Sequence, residues 1–62
     1  MGSTTPFKLY RRNVTFLQAR GSATKAEELA IKHSLEQPNI EVVLGYSEFI
    51  RVYLNGELIR QS

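Results

Sequence analysis

The sequence predicts an α+β domain: one helix packed on a small, mostly antiparallel sheet, in the order β(β)-α-β-β-β. Three observations carry that prediction. Strand-like runs of alternating apolar residues lie on both sides of a single helical stretch. That stretch opens with Thr24-Lys25-Ala26-Glu27, which has capping-box spacing, and closes at Pro38. Near the C-terminus, Asn55-Gly56 separates two alternating segments, and a type I′ hairpin turn needs two such residues at positive φ. The 62 residues make one domain, 7–62, preceded by a small polar segment, 1–6, expected to be flexible and outside the fold.

The first run, "PFKLYRRNVTFLQARG", is rich in aromatic and β-branched residues, but its alternation changes phase. Phe7 and Leu9 are odd, whereas Val14 and Phe16 are even. A period of two survives that switch only if a spare residue is absorbed around Arg11 to Asn13. A bulge in one strand or a tight turn between two would do this, and both arrangements stay open. The helix is expected from about Lys25 to about Gln37. Thr24 would cap it, and Glu27 and Glu28 would lie toward the positive end of its dipole. Leu29, His33, Ala26 and Ala30 share one arc, while Ile31 and Leu35 lie roughly 140° to 160° from Leu29. Either the small residues Ala30 and Ser34 rest on the sheet with larger ones on both flanks, or Ile31 and Leu35 meet a second copy of the chain.

Beyond Pro38 the alternation becomes strand-like again, with Ile40, Val42 and Leu44 followed by a turn over Gly45 to Glu48. The two-residue loop at Asn55-Gly56 predicts a register: Leu54 opposite Glu57, Tyr53 opposite Leu58, Val52 opposite Ile59, Arg51 opposite Arg60 and Ile50 opposite Gln61. Opposite residues share a face. Ile50, Val52, Leu54 and Ile59 are therefore expected to face the helix, leaving Phe49, Arg51, Tyr53, Leu58 and Arg60 outward. Two arginines directly opposite destabilise a strand pair unless something offsets them. Glu41, stacking on Phe49 and Tyr53, or a bound anion could each do so.

The net charge of +2 hides a partition. Residues 1–25 carry five cations (Lys8, Arg11, Arg12, Arg20 and Lys25) and no carboxylate, whereas residues 26–48 carry five glutamates against Lys32 alone. A basic arm of this kind suits a negatively charged partner. The chain has no cysteine and no aspartate and a single histidine, His33, which reads as a packing residue. That excludes disulfides and thiolate sites and leaves catalysis, metals and cofactors without a motif. The expectation is a non-enzymatic binding module with no cofactor and no metal. No apolar run reaches the roughly 18 residues that span a bilayer, and the opening is unlike a leader, so a cytoplasmic setting without membrane contact is expected. The leading partner is DNA or RNA, held on a basic, aromatic sheet face. Arg11, Arg12, Arg51 and Arg60 would meet phosphates, and Phe49 and Tyr53 would stack on bases. The alternative is a protein–protein interaction module or small homodimer using Ile31 and Leu35.

Overall fold

The computed structural model describes residues 4–62. Its elements are β1 (Thr5–Arg11), β2 (Val14–Gly21), α1 (Ala23–Glu36), β3 (Val42–Tyr46), β4 (Phe49–Leu54) and β5 (Glu57–Gln61). They form one five-stranded sheet in the order β2-β1-β3-β4-β5, antiparallel at every pairing, with the helix on one face. The α+β architecture is the expected one. The strand start is not, because β1 already includes Thr5 and Pro6 of the segment expected to be free. Residues 1–3 of that segment lie outside the described residues.

Three two-residue loops fold the chain back on itself. Arg12 and Asn13 have φ of 55° and 65°, and Asn55 and Gly56 have 52° and 84°, as type I′ turns require. Ser47 and Glu48 make the third, so Gly45 and Tyr46 belong to β3 and not to the turn expected there. The phase switch in the first run thus resolves as a hairpin. A bulge follows it, since Leu9 pairs with Leu17 but Tyr10 with Thr15, leaving Phe16 as the spare residue. β2 and β3 run parallel with β1 between them, and the helix makes that crossover.

The helix meets the sheet through its small residues. Ala26, Ala30 and Ser34, spaced at four, are fully buried and let the backbone sit close to Phe7, Leu9, Val42, Leu44 and Tyr53. Leu29 and Ile31 pack on the flanks. Ser34 is satisfied there: its hydroxyl donates to the Ile31 carbonyl at 2.8 Å and accepts from the Gly56 N–H at 2.8 Å. The N-cap differs from expectation. Ser22, in extended conformation, accepts from the Lys25 N–H at 3.2 Å, so Thr24 falls inside the helix and Glu27 lies beyond its first turn. The C-terminal end is as expected, with Gln37 extended at φ −127° and ψ 91° ahead of Pro38.

The main correction concerns β4. Val42 pairs with Tyr53 and Leu44 with Arg51, and opposite residues share a face, so Phe49, Arg51 and Tyr53 point toward the helix. Ile50, Val52 and Leu54 take the other side, which no element covers among the described residues; Ile50 is exposed there, while Val52 is buried. The β4–β5 register holds through Tyr53 with Leu58 and then slips, pairing Val52 with Arg60 and Arg51 with Gln61. Ile59 is the spare residue. This second bulge means that Arg51 and Arg60 never oppose each other; they lie on opposite faces.

Candidate nucleic-acid interface

Beneath the helix, the arginines expected to be exposed are already engaged. Arg51 forms an ion pair with Glu27 of α1, and its guanidinium carbon lies 3.9 Å from the centre of the Phe49 ring. Phe49 in turn stacks on Tyr46 at 5.0 Å, and the Tyr46 hydroxyl donates to the Gly21 carbonyl at 3.2 Å. Arg11 repeats the pattern at the other end. It donates to the His33 carbonyl at 3.0 Å and covers the Phe16 ring at 4.3 Å. Both Nε atoms are buried without a hydrogen-bond partner among the described residues, because the rings that hold the guanidiniums cannot accept there as an oxygen would. Tyr53 is 3% exposed, and burial raises its hydroxyl pKa above 10.0 against a smaller lowering by Arg51. His33 sits edge-on to Phe16 with Nδ1 3.1 Å from Glu36, a packing residue as expected.

The uncovered face is a different surface. Alternation in β1 puts Lys8 and Tyr10 there, opposite to buried Phe7 and Leu9. Lys8 pairs with Gln18 on one side and Gly45 on the other, and Pro6 pairs with Arg20. A hollow of about 620 Å³ opens between Lys8, Tyr10, Arg20, Gly45 and Ile50. A second hollow adjoins it at Tyr10, Gly45 and Ile50 and reaches Val43 and Asn13, and a third adjoins that one, lined by Arg12, Asn13 and Val43 together with Glu41. The result is a trough along β1 and β3, with Lys8 and Arg20 at one end, Tyr10 in the middle and Arg12 at the other. Lys8, Arg12 and Arg20 form no salt bridge among the described residues. Gly45 has a specific part in this. A Cβ on it would come within 3.3 Å of Tyr10 Cε1, close enough to displace the tyrosine ring by a few tenths of an ångström.

The expected site is therefore not assembled. Of its six residues, Arg11, Phe49, Arg51 and Tyr53 are turned under the helix. Arg12 is exposed at the first turn, and Arg60 is exposed but donates to Glu41 at 2.8 Å. Of the interface pair, Ile31 packs against the core and Leu35 is 59% exposed. Lys8, Tyr10, Arg20 and Gly45 were missed as a group. The signal was present in "FKLY", whose inward Phe7 and Leu9 leave Lys8 and Tyr10 on the other side. Comparison with protein-family models, with curated proteins and with solved structures finds no match.

Proposed function

We propose that this protein is a non-enzymatic module that binds nucleic acid on the uncovered face of its sheet. The observation supporting this reading is the trough along β1, where Tyr10 lies between unpaired cations at both ends. Lys8, Arg12 and Arg20 supply phosphate contacts, which give affinity without reading sequence. Tyr10 supplies a stacking surface. A cytoplasmic setting belongs to the same reading; among the described residues, no helix is long and apolar enough to cross a membrane.

Three phosphate contacts imply that log affinity falls with log salt at a slope of about −2 to −3. Fluorescence anisotropy with generic oligonucleotides across a salt series tests this. Lys8→Glu and Arg20→Glu are expected to abolish most of the binding, because each reverses a charge at the same end of the trough. Absence of binding to DNA and RNA at low salt would sink the reading.

A second reading rests on a separate observation. Leu58 lies on the helix side of β5, 43% exposed, and Leu35, beside Gly56 of the preceding turn, is 59% exposed. Apolar surface at that corner suits a protein partner or a second copy. Sedimentation of the wild type and of Leu35→Glu separates the two: a concentration-dependent dimer that Leu35→Glu dissociates would favour it.

A further inference from the structure

Resting on the nucleic-acid reading of the trough, we infer that its occupant is a single strand and not a duplex. Two features of the uncovered face point there. The first is Tyr10. Its ring edge passes within 3.3 Å of where a Gly45 Cβ would stand, and the half-buried ring lines the hollows on both sides of it, so an aromatic side chain borders the groove. An unpaired base can stack on such a ring, whereas bases inside a duplex are already stacked and paired and offer it no face.

The second feature is the division of charge across the sheet. Lys8, Arg12 and Arg20 lie on the first hairpin. The middle strands contribute Val43 and Ile50 to the same face, while Val52 between them is buried. Beyond them the positive charge is spent or reversed, since Arg60 is taken by Glu41 and Glu57 stands opposite Leu54. Glu41 also reaches the Arg12 end of the trough, with its carboxylate held by Arg60. A single strand is built the same way, with phosphates along one side and apolar base faces along the other. A duplex carries a phosphate backbone on both sides of each groove, and the second would lie over the half where Arg60 is already paired with Glu41 and Glu57 is anionic. The face thus matches one strand laid along β1 with its bases turned toward β3 and β4.

The test is anisotropy at one low salt concentration with 12-nucleotide oligo(dT) and oligo(rU) against 12-base-pair DNA and RNA duplexes, using the whole protein. At least one single strand is expected to bind tenfold or more tighter than either duplex. Tyr10→Ala should weaken single-strand binding by between about 5- and 150-fold, the range stacking supports, and leave the salt slope unchanged. Two further variants guard against misfolding, each checked by circular dichroism. Tyr10→Leu keeps an apolar cover on Gly45 without a ring, and Gly45→Val keeps the ring but lifts it; both should lose single-strand affinity while Lys8→Glu loses affinity for every probe. Duplexes binding as tightly as single strands, or folded Tyr10 variants binding single strands at full strength, would overturn the single-strand inference and leave the nucleic-acid reading standing. Failure of all four probes to bind would overturn both.

Discussion

Arg51 is held from two directions, by the Glu27 carboxylate and by the Phe49 ring, while its Nε lies buried with no acceptor among the described residues. The side chains are 26% and 33% exposed, so the pair stands between a surface bridge, worth about 0–1 kcal/mol, and a fully buried one, whose breakage costs about 3–5 kcal/mol. Glu27→Ala is therefore expected to lower stability by about 1–3 kcal/mol in urea unfolding, since it strands a guanidinium under the helix. Arg51→Met should cost less than that, because it removes the charge and keeps the packing on Phe49. Equal losses from both would mean that the ion pair itself, and not the stranded charge, carries the effect. Next to it, Tyr53 gives the protein a pH limit. Burial raises its pKa above the 10.0 at which it ionises in an unfolded chain. Above pH 10.0 the folded state then binds more protons than the unfolded one, so this contribution is complete below that pH and is lost as pH rises through the folded value. The base-induced fall in stability should be shallower in Tyr53→Phe, as followed by circular dichroism between pH 9 and 12.

At the scale of elements, the helix shows how local signals compete. Both Ser22 and Thr24 are good caps, and Thr24 has a glutamate three residues on, the stronger pattern in sequence. The fold selects Ser22, whose extended conformation follows directly from Gly21 at the end of β2. Ser22→Ala should thus cost about 1 kcal/mol and Thr24→Ala only a few tenths, measured by thermal or urea unfolding. The order of strands around one helix and the Asn55-Gly56 turn were legible, because turn chemistry acts locally. The phase switch at Arg11 to Asn13 was legible but not whether a bulge or a hairpin absorbs it, and the Ala30 and Ser34 seam was one of two packings the helix allowed. The face of β4 was not legible. Both of its sides are apolar, and aliphatic Ile50, Val52 and Leu54 outnumber Phe49 and Tyr53. The rings win the covered side because each buries more area, and Arg51 can accompany them because Glu27 waits on the helix. No pattern within β4 records that partner. The bulge at Ile59 was hidden for a similar reason: a spare residue in a short edge strand shows only against its neighbour. With that face inverted, the β4 and β5 part of the expected site is lost, and the candidate site keeps Arg12 and gathers on the first hairpin.

Taken whole, the molecule is one sheet with one helix, and its fully buried large side chains are few: Phe7, Leu9, Leu44 and Val42 among the described residues. A chain of this size has a stability of a few kcal/mol, while Leu→Ala at a buried site costs about 2–5 kcal/mol. Leu44→Ala should therefore be largely unfolded at 25 °C by circular dichroism, an outcome excluded if it melts within a few degrees of wild type. Both edge strands, β2 and β5, carry a bulge, which breaks the regular row of free backbone groups that would otherwise recruit another chain. The sheet order has a further consequence in time. Hairpin β1–β2 and meander β3–β4–β5 are each local in sequence, and such pieces form within microseconds. Of the strand pairings among the described residues, the β1–β3 seam, where Leu9 meets Leu44, is the one that joins the two halves. Its closure carries the largest loop entropy, so the seam is expected to set the pace of folding. Conservative trimming there, as in Val42→Ala, should slow refolding in stopped flow, whereas Leu58→Ala in the last hairpin should chiefly hasten unfolding. The first strand to be made is, by this account, the last to find its second neighbour.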